Sequence, residues 1–291
     1  MRGALFMICA AALLAATSML AKILGNDLFG PPLHPMQVSA GRFAFAFATL
    51  CAVAPFLKLK LTRDTPYGWH LLRSTLGWMG VSFTFAAAAR MPLAEATAIT
   101  FLSPICTMIF AIPFLGEKVG PVRWSAAGIS LVGALVLMRP GTDAFQAAAL
   151  LALAAALLTG LEMTVIKRLS GSEPAIRILF VNNFFGATIA VTAATFVWVP
   201  PTFEQWMLLI VLGMIMVTAQ TCFIQAMKSA DASFAVPFFY MTLVFAAFYD
   251  FGLFGVIPEP LSWLGAAIII AGALFLAYRE RQLERLNRTR T

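Results

Sequence analysis

Long apolar runs separated by short polar junctions fill the chain up to about residue 278. A hydrocarbon core takes about 20 apolar residues per helix. On that ruler the pattern predicts ten spans, near 3–24, 36–57, 67–89, 92–115, 121–138, 146–166, 176–198, 204–227, 232–256 and 260–278. Pro31-Pro32, Pro66, Pro92, Gly120-Pro121, Pro140-Gly141, Pro174, Pro200-Pro201 and Pro258 punctuate the junctions, where proline and glycine stop helices. Only the junction from Lys228 to Asp231 lacks them. The basic start and apolar run of Met1 to Ala21 resemble a secretory leader. That run is long enough to cross a bilayer, so it reads as a retained first helix. The predicted fold class is all-α integral membrane.

Charge orients the spans. Sixteen of the 20 basic residues fall on the side of the amino terminus, from Arg2 through Lys58, Arg73, Lys118 and Lys167 to the tail between Arg279 and Arg290. Lys22, Arg90 and Arg139 fall on the other side, and Arg42 lies inside the second span. Lys and Arg concentrate on cytoplasmic loops, so both termini are expected there.

A shift of 139 positions superposes Trp124 on Trp263, Pro121 on Pro260, Gly116 on Gly255, and Gly133-Ala134-Leu135 on Gly272-Ala273-Leu274 without a gap. The expected organisation is therefore a first five-helix repeat over 1–139 and a second over 140–291, the latter ending in a short basic tail. Five spans is an odd number, so the second repeat enters the membrane inverted. Inverted repeats are a recurring carrier architecture, with substrate held near the midplane between them.

Composition narrows the classes. The chain is 61% hydrophobic and 11% charged, with a mean hydropathy of +0.88, too apolar for a water-soluble globule of this length. The net charge of +7 sits in short clusters beside apolar runs, which suits anionic headgroups and argues against nucleic acid as a partner. The four cysteines, Cys9, Cys51, Cys106 and Cys222, and the two histidines, His34 and His70, show no metal-ligand or disulfide spacing. No metal or cofactor is expected. There is no His-Glu-x-x-His or Gly-x-Ser-x-Gly motif, so the chain is not expected to be an enzyme, and no Walker A loop, so pumping driven by ATP is not expected either.

The third to fifth spans carry Arg73, Gly77, Ala87 to Ala89, Pro92, Ala94 to Ala96, Leu102-Ser103-Pro104, Gly116-Glu117, Trp124, Gly128 and Gly133. These residues resemble the EamA repeat of the drug/metabolite transporter superfamily. The second copy, from about Gln225 to Tyr278, is more diverged: Asp231 replaces Pro92, Leu243 replaces Pro104, and Val256 replaces Glu117. The resemblance implies a secondary transporter of the bacterial inner membrane. Its ten-span layout is similar to exporters of aromatic and other neutral amino acids. An uptake carrier or a drug-efflux protein is the alternative, and a membrane-embedded enzyme or structural protein is less consistent with an inverted repeat.

In that family the third, fourth, eighth and ninth spans contribute to a central cavity. Here Ser74, Trp78, Ser82 and Phe85 recur at three- and four-residue steps on the third span, one helical stripe. Gln220, Thr221 and Gln225 come from the eighth. Phe101 and Tyr240 are equivalent under the 139-residue shift. Together they suggest a substrate pocket lined by aromatic rings and amides without a fixed charge; helix packing would use the same side chains. Arg42, Glu162 and Asp250 are ionisable groups inside spans, costly in lipid and so candidates for coupling or gating. Arg42 could instead snorkel to the surface, and Glu162 could pair with Lys167. Glu95 and Glu117 read as structural, the latter beside Arg123. Pro104, Pro113 and Pro237 remove helix hydrogen bonds and are expected kinks. The implied partners are a small-molecule substrate and membrane lipid; a homodimer stays open.

Overall fold

A computed structural model describes residues 2–56, 65–88, 99–138, 147–254 and 260–288. The described residues are helical, with no strand among them. The helices are α1 (Arg2–Leu24), α2 (Pro35–Val53), α3 (Tyr67–Ala88), α4 (Ser103–Leu115), α5 (Pro121–Met138), α6 (Ala147–Ser172), α7 (Ala175–Ala194) and α8 (Phe203–Ser229). A short α9 (Ala232–Ala235), a 3-10 turn (Val236–Tyr240), α10 (Met241–Phe254) and α11 (Pro260–Arg288) complete the chain. Six helical stretches are long and apolar enough to cross a membrane: Arg2–Leu24, Pro35–Val53, Ala149–Ser172, Ala175–Val197, Phe203–Ser229 and Ala232–Leu253. Ser103–Leu115, Pro121–Val136 and Trp263–Arg279 are shorter apolar helices. The chain is thus a multi-pass helical membrane protein.

Local chemistry sets the helix ends. The His34 ring accepts the Met36 N–H, and Pro35 occupies the first turn of α2, where a missing N–H costs nothing. The hydroxyl of Thr202 accepts the N–H of Gln205, whose side chain returns to the Thr202 N–H, a capping box that starts α8. Gly116, at φ 68°, ends α4 in the left-handed conformation that glycine tolerates.

In lipid, small residues let helix backbones approach. A Cβ on Gly80 would stand 2.9 Å from the Thr159 hydroxyl, so α3 lies close against α6. One on Gly160 would stand 2.6 Å from the Cys106 Cβ, so α6 lies equally close to α4. The largest buried cluster includes Met7, Leu169, Ile178, Ile224, Met227 and Phe238.

The helix pairing is symmetric in a specific sense. α1 packs on α8 and α3 on α6; α1 packs on α10 and α4 on α6; α2 packs on α7, and α5 on α11. Under the 139-residue shift each of these pairs maps onto its mate or onto itself. At the α5–α11 crossing a Cβ on Gly133 would meet the Ile269 backbone nitrogen at 2.8 Å, and one on Gly272 would meet the Ser130 hydroxyl at 2.5 Å. Gly133 and Ser130 are the shift equivalents of Gly272 and Ile269.

The kinks differ in part from the sequence expectation. Residues 99–100 are helical, a turn follows at 101–102, and α4 starts anew at Ser103, so Pro104 occupies a first turn rather than a mid-helix position. Pro113 lies inside α4. Pro237 lies in the 3-10 turn that separates α9 from α10. The two interruptions meet: the Tyr240 hydroxyl donates to the Phe101 carbonyl at 2.8 Å.

Candidate functional site

A cavity of about 260 Å³ lies among α2, α3, α6, α7 and α8. α2 contributes Met36, Ser39, Arg42 and Phe43, and α3 contributes Ser74, Gly77, Trp78 and Val81. α7 contributes Asn182, Gly186, Ile189, Ala190 and Ala193, while Glu162 enters from α6 and Met216 and Gln220 from α8. Steps of three and four residues on each helix make these single faces turned inward. The lining reaches Met36 at the start of α2 and Ala193 at the end of α7, so the cavity runs toward the end of the bundle that holds the α1–α2 and α7–α8 junctions.

Two charged side chains, Arg42 and Glu162, line the cavity, and a third, Arg73, stands behind Glu162. Arg73 is only 3% exposed; its Nε stands 3.9 Å from the Glu162 carboxylate, which is 22% exposed. Arg73 also donates to the Ile178 carbonyl at 3.2 Å. A Cβ at position 77 would lie 3.0 Å from the Glu162 carboxyl carbon, so Gly77 is what gives that carboxylate its seat against α3. The Arg42 guanidinium lies 4.4 Å over the Phe43 ring, and its Nε makes no hydrogen bond among the described residues.

Amides and hydroxyls surround the charges. The Ser74 hydroxyl donates to the Asn182 side-chain oxygen at 3.2 Å. Asn183 donates from its amide nitrogen to the Leu179 carbonyl at 2.8 Å and to the Gln220 side-chain oxygen at 3.3 Å. Asn183 therefore fixes the oxygen end of Gln220. Trp78, 52% exposed, lines the same wall.

The opposite end of the bundle is closed by polar contacts between distant parts of the chain. Glu117 accepts from the N–H groups of Ala232 at 2.7 Å and Ser233 at 2.9 Å, and from the Ser233 hydroxyl at 2.6 Å. Arg123 donates to Asp231 at 3.0 Å and to the Ser233 hydroxyl at 2.7 Å. Lys167 donates to the carbonyls of Met227 and Ala230 at the end of α8, and Glu173 holds Arg177 at 3.0 Å. Charge-assisted bonds of this kind are roughly twice as strong as neutral ones.

Of the residues expected to bind substrate, Trp78 and Gln220 line the cavity, and so do Arg42 and Glu162. Tyr240 does not: it is 0% exposed, packed with Ala134, Val244, Ala266 and Ile269. Phe101 is its ring neighbour at 6.0 Å, and both belong to the seam between the two interrupted helices. The Thr221 hydroxyl turns back onto the Val217 carbonyl, and neither Thr221 nor Gln225 is among the lining residues. Ser82, Phe85 and Asp250 lie on α3 and α10, but their side chains fall outside the described residues, as does Glu95 altogether. Two readings are corrected. The cavity carries fixed charge, where a neutral pocket was expected, because Glu162 pairs with Arg73 rather than Lys167. Arg73, counted from the sequence among the basic residues on the side of the amino terminus, is buried, almost two turns into α3 from its start at Tyr67. Glu117 bonds the start of α9, and it shares the Ser233 hydroxyl with Arg123.

The sequence reading missed Asn182, Asn183, Met36 and Ser39. The pair Asn182-Asn183 was visible as two amides inside an apolar run, which is costly in lipid unless the groups find partners.

A helical membrane protein with a charged, aromatic-walled cavity at one end and a bonded seal at the other has the form of a solute carrier. The chain belongs to the EamA-like transporter family, whose model matches residues 1–139 and 146–278. It is 32% identical to a riboflavin transporter of Rhizobium johnstonii, over 97% of this chain and 93% of that protein. It is 28% identical to an S-adenosylmethionine uptake transporter of Rickettsia bellii, covering 93% of each. A protein known from a crystal structure shares the fold at a TM-score of 0.80 and 21% identity, over 96% of this chain and 98% of that one.

Proposed function

We propose that the chain is a secondary carrier of the bacterial inner membrane that takes up a flat, uncharged heteroaromatic metabolite of the flavin type. The observation that carries this reading is the combination, in one cavity, of Trp78 with Arg42, Glu162, Asn182 and Gln220. A flavin edge alternates carbonyl, N–H and carbonyl. Its carbonyls suit guanidinium donors, its N–H suits a carboxylate, and its rings suit an indole face. Counting Arg73, which stands behind Glu162 without lining the cavity, two guanidinium groups against one carboxylate leave a formal positive charge around the site. That charge disfavours S-adenosylmethionine, which carries a sulfonium cation, and tolerates a neutral flavin.

Transport follows from alternating access between two five-helix repeats, 1–139 and 140–291, the second inverted. Supporting this are the family model matching in both halves and the exchange-symmetric helix pairing. With both termini cytoplasmic by the charge rule, the cavity faces outward and the Glu117–Ser233 and Arg123–Asp231 contacts close the inner end. Arg42 and Glu162 serve substrate recognition or coupling in this scheme.

A second reading, export of neutral amino acids, is favoured by one feature. A guanidinium and a carboxylate in the same cavity match the two ends of a zwitterion. Purified protein in liposomes, offered labelled riboflavin, S-adenosylmethionine and tryptophan, decides between them. Riboflavin accumulation is expected; tryptophan flux without riboflavin flux would establish the second reading instead.

A further inference from the structure

A second cavity of about 400 Å³ adjoins the first, lined in part by Thr17, Ser18 and Thr84. Ser39, Arg42 and Val81 line both cavities, so the two adjoin at this trio as neighbouring lobes. The first lobe alone is smaller than the roughly 300–1,000 Å³ that pockets for drug-sized ligands occupy. The two lobes together fall well inside that range.

The lobes differ in chemistry. The first holds the indole, the amides and the carboxylate. The second is lined mainly by apolar side chains and hydroxyls, and the orientation of those hydroxyls is fixed. Thr17 donates to the Leu14 carbonyl at 2.7 Å, Ser18 to the same carbonyl at 3.2 Å, and Thr84 to the Gly80 carbonyl at 2.9 Å. A hydroxyl that has given its proton to its own helix presents only lone pairs to its surroundings. This lobe therefore asks for a ligand part that brings its own O–H or N–H donors on an aliphatic chain.

We propose that the second lobe is a distinct subsite for the polyol or other donor-bearing chain of the substrate, with Arg42 at the junction serving both parts. The assignment rests on the flavin reading above. In it the tricycle lies in the first lobe, against Trp78. The ribityl chain extends past Arg42 and Val81 and donates to Thr17 and Thr84. A ring without the chain fills one lobe only.

The test is competition against labelled riboflavin uptake in proteoliposomes, comparing unlabelled riboflavin with lumiflavin, the same tricycle bearing a methyl group in place of the ribityl chain. In the wild-type protein riboflavin should inhibit at about tenfold lower concentration than lumiflavin, equivalent to about 1.4 kcal/mol. Thr17→Val combined with Thr84→Val should bring that ratio near one by weakening riboflavin alone. Thr17→Ser with Thr84→Ser, which keeps both oxygens, should preserve it. A wild-type ratio near one overturns the subsite whether or not the valine variant folds. So does a valine variant that keeps the full ratio, and in both cases flavin transport still stands. Wild-type protein that carries no flavin removes the flavin reading and the subsite together.

Discussion

The buried pair at the cavity floor gives the sharpest test of the geometry. Arg73 and Glu162 face one another at 3.9 Å, a separation at which unit charges attract by about 4 kcal/mol at an effective dielectric of about 20. Desolvation offsets part of that, and the partial exposure of Glu162 to the cavity screens more. The coupling left for measurement is about 1–3 kcal/mol. Glu162→Gln strands a guanidinium that is 3% exposed and retains its bond to the Ile178 carbonyl. Arg73→Gln strands the carboxylate. Each single variant should lower the thermal midpoint in detergent by several degrees, and the double variant should lose clearly less than the sum. Strictly additive losses would show that the two groups do not interact, and the charged floor of the cavity would have to be rebuilt from Arg42 alone. The same protein tests coupling: if Glu162 carries a transported proton, Glu162→Gln abolishes stimulation by a pH gradient while solute exchange persists. Asp250→Asn is the companion variant, and unchanged gradient dependence in both removes the pair as proton carriers.

Trp78→Ala should weaken flavin uptake by about three- to tenfold, the loss of one aromatic stack at about 0.5–1.5 kcal/mol, with the protein still reaching the membrane. Unaltered uptake kinetics would move the ring site elsewhere. Tyr240→Phe should cost about 1 kcal/mol of stability, the value of its bond to the Phe101 carbonyl, without changing the apparent affinity for substrate; a changed affinity would return Tyr240 to the binding site. A cysteine near Arg288 should be shielded from an impermeant thiol reagent in intact cells and one near Pro201 should label, and the reverse pattern would invert the orientation.

Helix positions were largely legible because the bilayer imposes one length and one polarity on every span. α1, α5 and α8 start and stop within two residues of the run lengths read from the sequence. What the pattern could not give is direction around each helix axis. Trp78 and Tyr240 are both aromatic residues in apolar spans, yet one opens onto a cavity and the other is sealed. The difference lies in which neighbour each helix meets. Asn182 and Arg73 became site residues for the same reason, through contacts with α3, α6 and α7 more than 80 positions away in the chain. The Glu117 carboxylate was read beside Arg123; what the sequence could not show is the helix start 115 residues away that offers it two N–H donors at once.

The α5–α11 crossing obeys the rule of a two-fold homodimer interface, in which residue i touches j and j touches i. Gly133 meets Ile269 as Gly272 meets Ser130, so each half carries a patch complementary to its own image. A gene cut between codons 139 and 146 would yield two separate polypeptides that still present matching faces, and their co-expression should reconstitute the carrier. The first half alone, if inserted in both directions, would find in a second copy of itself the surface that α11 normally supplies, except where Ser130 and Ile269 have already diverged.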